Sequence, residues 1–535
     1  MKITSLLDLV RKIPKFRWLI DELKQSEVSL GLSILDAAKP YVISAIYKEL
    51  CMPVLVIVAQ PHKSRDIQEQ ISAWTDVQTS LFPEPTTLPY QHVVPEKSTM
   101  MERIRVLSLL TGFVKGDQPP LVISSTPALI SKVPLYNHFI AASHKIRLGM
   151  DIDPLSLIDR WQKIGYRLEN IVEMPGNISH RGGILDIYPP TNELPARIEF
   201  FGNTIDSIRL YDPINQRSLK PVSEIDINPA AEMLVMSFGD RVELERMIKY
   251  IEYESCNNAK KQQFQQELDM LLEGCLPVGD EFYAQLLNRG HILDYLPEKS
   301  LVIVDEPLSV RGAVEYLDAE AGKLLEYKLK HGDLPINLPQ PYFSWDELES
   351  RLNKRKYLSI DSWLNDSSNI KWQLNFKQSI NYAGMLPEFL ERVKQLLRQR
   401  KRVILISHQA KRLSELLEEK DIVAESVIEM KEKPLPGSLT LVQGMLNRGW
   451  VMDDFTYLYT DSEIFGFIKQ RRLFKKQPVA RLGSIFDITP GDFVVHLEHG
   501  IARFAGVVNM DSDGIKREYL LLHYAAGDRL YVPVD

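Results

Sequence analysis

Two apolar runs constrain this chain more than any other feature. "MPVLVIVAQ" (52–60) and "PPLVISSTPAL" (119–129) are short, continuous and rich in β-branched residues. A strand with one wet face alternates apolar and polar residues, whereas a strand buried on both faces does not. Between the runs lie "KSRDIQEQISAWT" and "MMERIRVLSLLTGFV", both with helical spacing. Buried strands alternating with amphipathic helices predict a parallel sheet covered on both sides, over about residues 30–130. At 535 residues the chain has room for roughly three to five such domains.

The texture changes after residue 130. "GGILDIYPP" (182–190), "ARIEFFG" (196–202) and "IDSIRLYD" (205–212) are short strands separated by Pro, Asn and Gly, and Gly202-Asn203 reads as a hairpin turn. This predicts a small, mainly antiparallel insert over 131–212. Helical spacing returns in "KKQQFQQELDMLLEG" (260–274), followed by the buried-strand pattern "KSLVIVDEP" (299–307). The first α/β domain is therefore expected to comprise 1–130 and 213–335, ending at the Pro-rich "GDLPINLPQPYF" (332–343). "KRVILISHQAKRLSELLEEKDI" (401–422) and "FTYLYTDSEIFG" (455–466) point to a second α/β domain over 336–466. "FIKQRRLFKKQPVAR" (467–481) holds six basic residues and no acid, and a linker is expected over 467–482. The remainder, 483–535, has short strands with Gly turns, as in a small β-barrel or curled sheet. The chain stops at Asp535 within or just after a strand, which points to a piece of a longer protein.

Composition excludes several classes. No run of about 18 apolar residues is present, so no membrane span is expected. The amphipathic start "MKITSLLDLVRKIPKF" lacks a small-residue cleavage site and reads as a first helix. Three cysteines, Cys51, Cys256 and Cys275, lie far apart without metal-ligand spacing, so a reducing, cytoplasmic setting is expected and no metal site. A net charge of −7 argues against a chain that coats nucleic acid along its length.

Candidate chemistry is sparse. A phosphate-binding loop would lie in "SLGLSILDAAKPYVIS" (29–44), but Lys39 is followed by Pro40 and preceded by Ala38, without the hydroxyl that holds magnesium. Asp305-Glu306 ends a buried strand as a Walker B pair does, yet without a phosphate loop it has nothing to act on. "VVHLEHG" carries His496, Glu498 and His499, whose alternation is poor for a shared metal. No nucleophile-and-base arrangement stands out. Arg181, Arg197, Glu199 and Arg209 lie on or beside adjacent short strands and form either a solvated exterior or a charged docking face.

The stretch 165–218, "GYRLENIVEMPGNISHRGGILDIYPPTNELPARIEFFGNTIDSIRLYDPINQRS", resembles the interaction domain of UvrB and of the Mfd family of transcription-repair coupling factors. "GDFVVHLEHGIARFAGV" and "REYLLLHYAAGDRLYVPVD" resemble the RNA-polymerase-interacting domain shared by that family and CarD-type regulators. "TLPYQHVVPEKSTMMERIRVL" and "TDSEIFG" also match coupling factors.

The resemblance implies an α/β multidomain architecture: a degenerate, helicase-like parallel α/β domain, an inserted mainly-β domain, a second α/β domain of uncertain role, and a C-terminal Tudor/CarD-like β domain. It implies UvrA docking through Arg167, Arg181, Arg197, Glu199 and Arg209, and docking on the RNA polymerase β subunit by strand addition along Val507, Val508, Asn509 and Met510. The sequence departs from UvrB-type sequences at Ser179, where those carry a second arginine. ATP, magnesium and most contact with double-stranded DNA are expected only in motor domains beyond residue 535, with no cofactor in this stretch. The alternatives are an active UvrB-like helicase, which needs the phosphate loop that Lys39-Pro40 lacks, and a CarD-like regulator, which leaves the first 335 residues unexplained.

Overall fold

The structure is a computed structural model. It describes residues 1–25, 29–86, 89–92, 96–234, 241–253, 255–274, 277, 280–362, 370–466, 491–496, 500–512, 515–524 and 528–533. The basic run 467–481, Glu498, His499 and Asp535 lie outside these residues. The chain divides into two compact units, Met1–Lys469 and Gln470–Asp535.

Strands are numbered along the chain. The first sheet begins with β1 (Leu30–Ser33), β2 (Val54–Val58), β3 (Thr79–Phe82) and β4 (Leu121–Ser125). The chain then builds an insert with β5 (His144–Arg147), β6 (Arg167–Leu168), β7 (Asn177–Arg181), β8 (Ile184–Ile187), β9 (Ala196–Phe201), β10 (Thr204–Tyr211), β11 (Ser218–Pro221) and β12 (Glu224–Ile227). It returns to the first sheet with β13 (Leu301–Asp305), β14 (Tyr357–Asp361) and β15 (Ile370–Gln373). The order is β15-β1-β14-β13-β2-β4-β3, and every pairing is parallel. All residues of β2, β4 and β13 are buried, as their unbroken apolar runs require.

Two expected boundaries move. The Pro-rich stretch 332–343 does not separate the two α/β domains, because β14 pairs with both β13 and β1. Leu334 and Tyr342 instead share a core with Val310 and Val314 before the loop and Leu348 and Leu352 after it. The prolines thus shape a connection between two helices, Pro307–Lys330 and Trp345–Asn353, that belong to one domain. The insert likewise runs past 212, since β12 pairs antiparallel with β5 and closes it.

Within the insert, β11-β10-β9-β8-β7-β6 form one sheet, antiparallel except for β6–β7. Its inner face carries Ile178, Leu185, Ile187, Ile198 and Ile208, which pack with Leu157 and Trp161 of the helix Pro154–Lys163. The β9–β10 turn falls at Gly202-Asn203, with Gly202 at φ +64°.

The second α/β sheet contains β16 (Phe376–Gln378), β17 (Arg402–Ser407), β18 (Ser426–Val427), β19 (Leu439–Gln443), β20 (Trp450–Met452) and β21 (Thr456–Thr460), in the order β16-β20-β21-β17-β19-β18. It shares a core with the first sheet. Tyr41 packs 4.8 Å from Trp74 and 4.9 Å from Trp450, and Phe376 lies 5.3 Å from Trp450 between ring centroids. Tyr41 and Trp74 belong to helices on the first sheet, whereas Trp450 and Phe376 belong to strands of the second.

The other unit is an antiparallel sheet of β22 (Phe493–His496), β23 (Gly500–Ser512), β24 (Ile515–His523) and β25 (Arg529–Pro533), in chain order. Ala502, Phe504 and Leu522 form its buried centre. Among the described residues, no helix is long and apolar enough to cross a membrane.

Trp450 is fully buried in the shared core, so Trp450→Ala should cost about 3–5 kcal/mol in urea denaturation. A loss below about 1 kcal/mol would mean that the two sheets do not depend on a common core.

Candidate functional site

The first place to look is the C-terminal edge of the parallel sheet, where open α/β folds bind ligands. The loop after β1 leads into the helix Lys39–Leu50, with Pro40 in its first turn. Lys39 does not reach outward: it is almost fully buried, with its ammonium 2.5 Å from Asp305 Oδ1, 2.7 Å from Glu306 Oε1 and 3.2 Å from Asp36 Oδ1. Oxygens of these three acids lie within 4.8 Å of one another. That is the donor set a divalent cation would use, and the lysine ammonium stands among them. Lys39 and the Asp305-Glu306 pair thus meet in one ion cluster, buried at Lys39 and Asp305 and open to solvent at Asp36.

The cluster explains its own electrostatics. Burial works against the Lys39 ammonium, but the charge and hydrogen bonds of Asp305, the hydrogen bond to Glu306 and the charge of Asp36 outweigh it, so its pKa is raised. Burial pushes the Asp305 carboxyl up against the pull of Lys39. Burial also acts on Glu306, but its bonds to Lys39 and Ser362 hold it below the usual range. Glu306 has a left-handed φ of +51°, a conformation that costs a non-glycine residue about 1–3 kcal/mol unless its surroundings fix it. Here Lys39 Nζ, Ser362 N and Ser362 Oγ all donate to Glu306 Oε1.

The second place is the outer face of the insert's six-stranded sheet. Cross-strand pairing aligns Ser179, Asp186, Arg197 and Arg209 in one row and Arg181, Ile184, Glu199 and Ser207 in the next. Alternation puts both rows on the face opposite the apolar core. The organising residue is Asp186, whose carboxylate is fully buried. Arg197 binds it through two nitrogens at 2.8 and 2.9 Å, and Arg181 donates to it at 2.9 Å. Arg197 also lies over the Tyr211 ring at 4.6 Å. Glu199 accepts from Ser207 Oγ at 2.7 Å and from Arg209 at 3.1 Å. A pocket of about 270 Å³ opens among Arg181, Ile184, Arg197 and Gln216.

The structure thus brings Arg181, Arg197, Glu199 and Arg209 together. Arg167 stands apart, exposed on β6 at the other end of the sheet. The opening of the β7–β8 hairpin uses Gly182 at φ +60°, which lets Arg181 end one strand at the rim of the face. Sequence reading missed Asp186, although an acid inside the apolar run "ILDI" was a visible signal. Ser179 faces Asp186 across the strands, is buried and has no hydroxyl partner among the described residues.

The third place is the edge of β23. Residues 500–503 pair with β22, and residues 503–512 pair with β24. Val507, Val508, Asn509 and Met510 pair with Leu520, Tyr519, Glu518 and Arg517. Among the described residues, no strand pairs with the opposite edge of this segment.

These features describe a class: an α/β scaffold whose sheet edge holds a lysine–carboxylate cluster, carrying an arginine-bearing sheet face and a strand edge unpaired among the described residues. Comparison with known proteins narrows it. The model of the UvrB interaction domain matches residues 145–233, and that of the CarD-like/TRCF RID domain matches 488–535. The chain is similar to the transcription-repair-coupling factor of Bacillus subtilis (strain 168), at 24% identity over 98% of this chain and 46% of the relative. It is similar to that of Myxococcus xanthus, at 26% over 97% and 46%, and to that of Staphylococcus aureus (strain MRSA252), at 26% over 94% and 44%. The chain spans about half the length of these curated relatives. In these two domains and along most of its length, the chain is similar to transcription-repair-coupling factors.

Lys39→Met should cost about 3–5 kcal/mol near neutral pH, because it removes the nearest counter-charge of the buried Asp305 and leaves it the more distant Lys63, at 3.9 Å. The stranded carboxyls would then titrate above their unfolded values. A group of that kind supports the fold only while it is protonated, so the deficit against wild type should shrink as pH falls from 7 toward 4.5. Urea denaturation of both proteins across that range checks this, and a deficit that grows on acidification would refute it.

Proposed function

We propose that this chain is the adaptor part of a transcription-coupled nucleotide excision repair factor. It docks on the β subunit of an RNA polymerase stalled at a DNA lesion through the edge of β23, and it recruits UvrA through the arginine face of the insert. In the intact protein the two surfaces are coupled to an ATP-dependent DNA translocase that lies outside this chain and displaces the polymerase. The setting is the cytoplasm. The mechanism within the chain is binding and conformational release rather than catalysis.

The observation that carries this reading is the co-occurrence, on one chain, of the two matched domain types, each with a surface suited to a partner. Among the described residues, the strand edge at 507–510 has no partner strand opposite, which is what strand addition requires. The guanidinium groups of Arg181 and Arg197 are held in place by Asp186, so little ordering is left for a partner to impose. The nucleotide-independent role of the scaffold is supported by Lys39, whose ammonium is committed to three carboxylates. The active-helicase alternative would require that lysine to turn outward and meet phosphate.

Two measurements test the proposal. Met510→Arg should weaken binding to a polymerase β-subunit fragment at least about tenfold, or 1.4 kcal/mol, in a titration, while leaving UvrA binding unchanged. Equal polymerase affinity would remove the edge from the account. A fluorescent ATP analogue with magnesium should show no saturable binding to this chain, whereas tight binding would favour the helicase reading.

A further inference from the structure

The sheet of the second unit has an outer face that the β23 edge does not use. Phe493 pairs with Arg503, Arg503 with His523, and His523 with Arg529. These four residues make one unbroken row across all four strands, and a row of direct cross-strand partners lies on one face. It is the face opposite Ala502, Phe504 and Leu522, which are buried. Ile501 lies two residues before Arg503 and Tyr531 two after Arg529, so both share the outer face.

Two properties of this face are unusual for a solvated exterior. Phe493 is 77% exposed, Ile501 68% and Tyr531 40%. Three large apolar side chains are thus left in water on the face opposite the buried Ala502, Phe504 and Leu522. The cations among them are also uncompensated: among the described residues, no carboxylate pairs with Arg503 or Arg529. Arg503 is oriented instead by its Nε, which donates to the Gly491 carbonyl at 3.0 Å and leaves the terminal nitrogens for another partner. Asp492 and Asp528 lie just outside the strands, and their carbonyls accept from Phe504 N and Tyr524 N, residues that belong to the inner face.

Guanidinium groups that no described carboxylate pairs with, interleaved with exposed rings on a sheet, fit a ligand that offers phosphates and unstacked π faces. We infer that this face is a binding surface for single-stranded DNA, with Arg503 and Arg529 on the phosphates and Phe493 and Tyr531 under the bases. A duplex keeps its bases stacked and would leave the rings unused. Among the described side chains of this face, the Tyr531 hydroxyl and the His523 ring could read a 2′-hydroxyl, but no described hydrogen bond fixes either in place, so the face is not built to prefer RNA. The inference does not depend on polymerase docking, which uses the strand edge.

The test is fluorescence anisotropy of the whole chain with a labelled oligothymidylate of about 15 nucleotides. Arg503→Gln/Arg529→Gln should weaken binding at least about tenfold and reduce the salt dependence by roughly 1.4 in log–log slope, the value for two single-strand phosphate contacts. Phe493→Ala should weaken it about fivefold or more, the low end of a lost base stack. Arg503→Lys/Arg529→Lys should recover most of the affinity, which a folding defect would not. The basic run 467–481 is untouched by these changes, so binding carried by that run alone would leave the variants at wild-type affinity and overturn the inference. So would an absence of binding by the wild-type chain, tighter binding of the matching duplex or of oligouridylate, or variant-sensitive binding of polyglutamate without binding of the oligothymidylate. Unchanged polymerase affinity in the glutamine variants would keep this result distinct from the docking proposal.

Discussion

The ion cluster around Lys39 sets the character of the whole first unit. A parallel sheet covered by helices naturally presents a ligand position at the C-terminal ends of its strands. In this chain that position closes on itself, with an ammonium from the start of one helix reaching acids that lie 266 and 267 residues further along. A charge taken from water is costly, and Lys39 tolerates burial only because three carboxylates surround it. The same contacts hold Glu306 in its left-handed conformation at the head of a 24-residue helix. A scaffold wired in this way is suited to holding other surfaces in place.

Those surfaces follow different physical rules. The insert's face is built on a buried carboxylate, Asp186, that takes two arginines at once. With serine at position 179, the arginines that bind Asp186 among the described residues are Arg181 and Arg197. The face is therefore rigid before any partner arrives. The β23 segment instead offers backbone, and its specificity would have to come from side chains on alternate positions. The row from Phe493 to Arg529 adds a third mode on the same small sheet, charge with exposed rings. Under the proposed function, one chain would separate its partners by chemistry as well as by position.

Much of this was legible in the sequence, for local reasons. The strands at 54–58, 121–125 and 301–305 announce themselves because burial on both faces leaves no polar alternation. The Gly202-Asn203 hairpin was readable because turn chemistry is local. What escaped was set by distant contacts. "YLSID" (357–361) carries no sign that it joins the first sheet, and only its pairing with β13 and β1 decides it. The insert's end was missed because β12 is identified by its return to β5. Lys39 could be recognised as a damaged phosphate-loop lysine, yet nothing nearby in sequence showed that Asp305 and Glu306 already satisfy it. Asp186 was hidden by its apolar neighbours, although those neighbours are what make a lone acid there informative.

The central claim is that one inert scaffold carries two independent docking surfaces. Its most direct measurement is sedimentation velocity of this chain mixed with UvrA and a polymerase β-subunit fragment, without nucleotide. The account predicts a single species containing all three chains. Two binary complexes that exclude one another, or assembly that appears only when ATP is added, would contradict it.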